Sequence, residues 1–221
     1  MIFLLVQKSW RVSLLKNAKK MKSIVIVGAN STASPASASG HPLVFKYLKE
    51  LHIGKLPELE SIWQGEIASE SFRALTTLTL KECRGIPILF SLNMVSQLPK
   101  LQNLHVEDCQ STENIIQAEN SDEEVAFGSL KEFQLSNLPS LSSICVARLK
   151  LRSLEKILMR TCEKLTSLPQ ILDYASEFCE IQCDQDWWDK QDWSEQVSEQ
   201  RFSSRPLKLH RNQISSTELF H

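Results

Sequence analysis

Five stretches of the chain superpose on one template, and this recurrence constrains the fold more than any other property of the sequence. They are LKELHIGKL from Leu48, LTTLTLKEC from Leu75, LQNLHVEDC from Leu101, LKEFQLSNL from Leu130 and LEKILMRTC from Leu154, with starts 27, 26, 29 and 24 residues apart. Each reads L-x-x-L-x-L-x-x-C/L, with an aliphatic residue or Phe at every L. Self-similarity at this period means that one small supersecondary unit has been copied, and such a unit cannot bury its apolar face alone. Neighbouring copies must stack.

The pattern is that of a leucine-rich repeat. It predicts an α/β solenoid in which a curved parallel sheet puts short strands on the concave face and irregular or shortly helical segments on the convex side. Alternate side chains of a strand face opposite ways, so Leu78 and Leu80 point into the coil while their neighbours point out. At roughly 25 cal/mol per Å² of apolar surface buried, each interior Leu contributes about 2 kcal/mol. A further apolar position stands three residues upstream of every copy, as Phe45, Phe72, Leu98, Phe127 and Leu151. Downstream, LPELESIW, LPSLSSIC and CEKLTSLP recur, and their prolines turn the chain away from the sheet. Cys83, Cys109 and Cys162 share the ninth template position, where Leu56 and Leu138 stand before Pro in the other two copies. That alternation predicts two coil variants of different width at the turn.

Residues 43–170 are therefore assigned to about five repeats. Residues 1–42 read as a degenerate or partial N-terminal repeat: MKSIVIVG from Met21 looks like the tail of a copy whose strand is lost or degenerate, so the chain is expected to start inside a longer array. ANSTASPASASGH, residues 29–41, has the composition of a flexible loop, and AENSDEEVA, residues 118–126, reads as a solvated acidic insertion. Three of the five tryptophans fall in residues 184–196, which assigns residues 171–200 to a Trp-rich cap and leaves 201–221 as a disordered tail. The apolar run from Ile2 to Val6 is too short to cross a bilayer, and its charges follow it instead of preceding it as in a secretory signal. The chain is expected to be cytoplasmic, where its six cysteines stay reduced.

The outward positions of the five strands form three columns: Glu50, Thr77, Asn103, Glu132 and Lys156; His52, Thr79, His105, Gln134 and Leu158; and Gly54, Lys81, Glu107, Ser136 and Arg160. All except Gly54 and Ser136 are candidate protein-binding residues. Mixed charge with few aromatics makes this a polar surface for a protein partner, unlike an apolar pocket for a small molecule. A formal net charge of -1 supplies no global positive field to gather nucleic acid or coat a membrane, so neither is expected as a partner. His52 and His105 share a column, but two strand spacings set them roughly 10 Å apart, too far for one zinc ion. Cys179 and Cys183 lack the further ligands of a structural zinc site, and the aligned cysteines read as small buried turn fillers. No nucleophile elbow, zinc signature or paired-carboxylate frame is present, so the chain is expected to be no enzyme and to need no cofactor.

The LxxLxLxxC strands, the LPxLxSI return and the WW-containing tail resemble the C-terminal leucine-rich region of plant intracellular immune receptors, the class with a coiled-coil head and a nucleotide-binding central domain. FRALTTLTLKEC from Phe72, LPKLQNLHVEDC from Leu98 and FGSLKEFQLSNLPSLSSI from Phe127 carry the resemblance, which covers residues 21–193. It implies that the concave face senses a pathogen effector or a guarded host protein, and that the array restrains a nucleotide-binding domain during the defense response. No G-x-x-x-x-G-K-S/T occurs; VGANSTAS from Val27 lacks the second Gly and the Lys, so the nucleotide switch is not in these 221 residues. Two alternatives stand beside this reading: a leucine-rich repeat substrate adaptor of a ubiquitin ligase, for whose docking domain residues 1–22 leave little room, and a stand-alone repeat fragment.

Overall fold

The computed structural model describes residues 11–14, 22–26, 45–64, 71–118, 124–166, 168 and 179–190. Their organising element is a seven-stranded sheet formed by β1 (Arg11–Leu14), β3 (Glu50–Gly54), β5 (Thr77–Lys81), β7 (Asn103–Glu107), β10 (Glu132–Ser136), β12 (Lys156–Arg160) and β13 (Glu180–Cys183). Spatial order follows chain order and every pairing is parallel, so each step from strand to strand takes one whole turn of the chain. This is the predicted leucine-rich repeat solenoid.

The register is the one the template requires. Leu51, Leu78, Leu104, Phe133, Ile157 and Ile181 align in one inward ladder, and Ile53, Leu80, Val106, Leu135, Met159 and Cys183 in a second. Every one of them is buried, whereas the residues between them are only half-buried. Period-two sequence thus becomes a two-sided sheet, apolar within and polar without.

The upstream apolar residue opens a tight turn that leads into each strand. Leu48, Leu75, Leu101, Leu130 and Leu154 donate their N–H to the carbonyl three residues back, at 2.9 to 3.2 Å, and both ends of each turn are buried. Successive turns are tied by one shared acceptor per step: the Thr76 carbonyl takes Gln102 N–H at 2.8 Å and Asn103 N–H at 2.9 Å, and those of Lys49, Gln102 and Lys131 repeat the arrangement. Aromatic side chains reinforce the interior, Phe45 stacking on Phe72 at 5.0 Å and Trp63 lying between Phe72 and Phe90.

The return side is more ordered than the sequence predicts. Short parallel pairs join β2 (Ser23–Ile26) to β4 (Ser61–Gln64), β6 (Ile88–Ser91) to β8 (Asn114–Gln117), and β9 (Glu124–Ala126) to β11 (Arg148–Lys150). Among the described residues, helix is confined to α1 (Leu92–Ser96) and, after β13, α2 (Gln185–Trp188). Stacking at one coil pitch lets return segments pair with each other just as the front strands do, which satisfies their backbone groups. Of the two readings of the strand before MKSIVIVG, lost or degenerate, the second fits β1, RVSL, with β2 as its return. The end of the acidic insertion forms β9; residues 119–123 lie outside the described residues, as do residues 29–41, read as a Ser/Ala-rich loop, and those beyond 190.

The two turn variants anticipated from Cys and Leu are not found. Lys55, Glu82, Asp108, Asn137 and Thr161 all adopt left-handed backbone, with φ between 52 and 60°, and the ninth residue that follows is buried whether it is Leu or Cys. Each of the first four directs its N–H at the next coil: Lys55 to Lys81 O, Glu82 to Glu107 O, Asp108 to Ser136 O and Asn137 to Arg160 O, at 2.9 to 3.1 Å. Thr161 donates instead to Asp184 Oδ2 at 2.6 Å, so a carboxylate ends the ladder. Trp187 is buried and donates its indole N–H to the Leu165 carbonyl, which anchors the WW segment.

At Gly85 one trailing turn lies close against the preceding one. A Cβ there would stand 2.8 Å from the Leu59 carbonyl oxygen and 3.1 Å from that of Pro57, whereas one on Gly128 would meet nothing within 4 Å. Gly85→Ala is therefore expected to lower stability by about 1–3 kcal/mol in urea denaturation, and Gly128→Ala to leave it unchanged or slightly raised.

Candidate protein-binding face

The pleat that buries two ladders projects three others from the front of the long sheet. The first runs Glu50, Thr77, Asn103, Glu132, Lys156; the second His52, Thr79, His105, Gln134, Leu158; the third Gly54, Lys81, Glu107, Ser136, Arg160. All thirteen candidate residues of the sequence reading thus share one face. β13 lengthens the first column by Glu180 and the second by Gln182. Those two were missed because EIQC carries no Leu; its strict polar–apolar alternation was the available signal.

Neighbouring side chains on this face hold one another. Lys81 Nζ lies 3.1 Å from Glu107 Oε2, and Asn103 Nδ2 donates to Thr77 Oγ1 at 3.2 Å. His52 Nε2 is 3.3 Å from Glu50 Oε2, and Gln182 Nε2 donates to Glu180 Oε1 at 2.8 Å. Glu132 stands between Lys156 Nζ at 3.9 Å and His105 Nε2 at 4.0 Å. Pairs this exposed contribute at most about 1 kcal/mol each to stability, so their main effect is to restrict the side chains that a partner meets.

His105 is the most constrained group of the face. Its Nε2 is buried without a hydrogen-bond partner, as is Arg160 Nε. Burial pushes the imidazole below its ordinary value of 6.5; the Glu132 carboxylate opposes that shift, while His52 and Lys156 add to it. His52 and His105 are two strands apart with Thr79 between them in register. Among the described residues, no three His, Cys, Asp or Glu side chains are grouped to hold a metal ion.

All six cysteines are buried and none is in a disulfide. Cys83, Cys109 and Cys162 each donate Sγ–H to the carbonyl two residues back, of Lys81, Glu107 and Arg160, at 3.3 to 3.5 Å. The shared hydrogen bond with Cys83, together with burial, drives the Cys109 thiol far up. Burial raises Cys162 to about 11 and both Cys179 and Cys183 to about 12. Those four are held as thiols, whereas the hydrogen bond shared with Cys109 lowers the Cys83 thiol against the effect of burial, so Cys83 is kept from reaction by its burial alone.

A stack of parallel coils with polar, self-paired columns on one face defines a leucine-rich repeat solenoid. Residues 47–171 match the family described as "Plant disease resistance protein RPS2-like, leucine-rich repeats", and the chain belongs to that family. Disease resistance protein At4g27190 of Arabidopsis thaliana is 26% identical over 193 residues, covering 81% of this chain and 19% of the relative. Probable disease resistance protein At4g27220 of the same plant is 31% identical over 134 residues, covering 57% and 14%. The chain thus spans less than a fifth of the length of either relative. No solved structure matches it. Among the described residues, no helix is long and apolar enough to cross a membrane.

Two predictions follow from the titrating groups. The lowered His105 value means that on acidification the unfolded chain takes up this proton first, so stability is lost as pH falls below about 6.5. His105→Gln is expected to flatten that part of the melting temperature against pH profile, and the NMR titration midpoint of His105 to lie below that of an ordinary imidazole. The six thiols are expected to resist an aromatic disulfide reagent in the native state and to react together on unfolding; native reaction of any one would contradict the assigned burial.

Proposed function

We propose that this chain is a non-enzymatic recognition module of a plant immune receptor, acting in the cytoplasm, whose long sheet binds a pathogen effector or a guarded host protein. The observation that carries the reading is the register of the outward columns. Inward positions are fully committed to packing, so the thirteen outward candidates from Glu50 to Arg160 vary at little cost to the fold, which is what a surface matched to a partner requires. Membership of the disease resistance family supports the immune role. The polar, half-buried character of the face favours a protein over a small molecule, a nucleic acid or a membrane. In the receptor the array also restrains a nucleotide-binding domain until the ligand arrives, and a ligand that separates the two states by a few kcal/mol is enough for that switch.

His105 and Glu107 lie at the middle of the face, on the central strand β7. Replacing both by Ala is expected to weaken a partner recovered in a two-hybrid screen by about tenfold or more, measured by titration calorimetry, and to leave the melting temperature within about 2 °C of wild type. Lys55→Ala with Lys164→Ala, on the trailing turns, is expected to change neither the binding nor the melting temperature. Loss of folding in the first variant would reverse the assignment of the strand faces.

A further inference from the structure

The net charge of -1 conceals a separation of charge between the two rims of the solenoid. The leading turns, residues 46–49, 73–76, 99–102, 128–131 and 152–155, carry Lys46, Lys49, Arg73, Lys100, Lys131 and Arg152, against Glu155 as their one acid. The trailing turns, residues 55–60, 82–87, 108–113, 137–142 and 161–166, have the opposite balance: six acids against Lys55, Arg84 and Lys164. The leading cations occupy equivalent turns of stacked coils, and all but Lys46, which is half-buried, are exposed. Strand neighbours are about 4.8 Å apart, which is inside the Debye length of about 8 Å at physiological salt, so their potentials add along the rim.

Two further features mark this rim. Tyr47, at 64% exposure, is one of two large exposed hydrophobic side chains among the described residues; it stands in the first described leading turn with Lys46 Nζ 5.6 Å from its ring centre. Behind the fifth leading turn, Glu124 is held below the ordinary carboxylate range by its hydrogen bond and charge pairing with Lys150, helped by Arg148 and Arg152.

We propose that this basic leading rim is a second docking surface, distinct from the outward sheet face, that takes a narrow acidic segment of a protein partner. The proposal rests on the reading of the chain as a protein-recognition module and adds the charge of what it recognises. Geometry selects a narrow acidic segment over a broad polyanion. Glu50 and Glu132 head their strands directly beside the rim, and Glu155 lies on it, pairing with Lys131 at 2.8 Å. A nucleic-acid duplex or an anionic bilayer would press against those carboxylates, whereas one acidic strand or helix edge can follow the cations of the first three leading turns, which carry no acid. Such a row acts mainly on encounter rate and partner choice, and its effect declines steeply with salt.

The test uses the full chain and three labelled probes: decaglutamate, a single-stranded oligouridine and phosphatidylserine vesicles. At low ionic strength decaglutamate is expected to bind best of the three and to be released as salt is raised. Reversing Arg73→Glu, Lys100→Glu and Lys131→Glu together is expected to weaken it by about tenfold or more; reversing Lys55→Glu and Lys164→Glu is expected not to. Should the triple reversal unfold the chain, the same three positions changed to Gln give the same reading with a smaller loss. Failure of decaglutamate to bind, equal loss from the trailing reversal, or tighter binding of oligouridine or vesicles each overturns the proposal. The His105→Ala and Glu107→Ala pair is expected to keep decaglutamate binding, so an error about the sheet face and an error about the rim give different results.

Discussion

The interaction on which everything else depends is the contact between one coil and the next. No coil holds its own Leu ladder: Leu78 is buried because Leu51 and Leu104 lie beside it in register, and Leu104 because of Leu78 and Phe133. Backbone satisfaction follows the same rule, with the carbonyls that precede each strand and the left-handed residues that leave it both bonded to an adjacent coil. Stability in such a stack is a sum over neighbouring interfaces, and its ends require separate solutions. At the step from β12 to β13 the pattern changes: the Asp184 carboxylate accepts from Thr161 N–H where the earlier steps use a backbone carbonyl, and the buried Trp187 donates to the Leu165 carbonyl.

What the sequence made legible was what this contact demands. Large apolar side chains at three fixed positions leave a pattern that survives Leu-to-Phe and Leu-to-Met exchange, so the five central strands, both inward ladders and all three outward columns could be read with their register. The strands at the ends could not. RVSL of β1 lacks the flanking template residues, and in β13 the places of the leucines are taken by Ile181 and Cys183. The return strands were hidden for another reason: three or four residues are too short to display a period, and their pairing follows from the coil pitch, not from residue type. The turn conformation was obscured because Lys, Glu, Asp, Asn and Thr occupy a backbone region where Gly would have announced it.

The candidate face shows the same division. Membership of a column was legible from alternation alone, but the pairing within the face was not, because it depends on which side chains become strand neighbours. Glu132 meets both His105 and Lys156 only because β10 lies between β7 and β12. Charge read as a total was equally uninformative. Opposite charges are sorted to opposite rims by their place in the repeat, and a sum over the chain erases that arrangement.

Because the order of strands in the long sheet is the order of the chain, the molecule also has a definite response to mechanical load. A pull applied at one terminus acts on the outermost coil alone, and the coils behind it keep their neighbours until it has peeled away. Each detachment frees one repeat of 24 to 29 residues, or about 90 Å of extended backbone. Stretched in this way, the array yields in evenly sized steps, as a zipper does, and not in a single rupture.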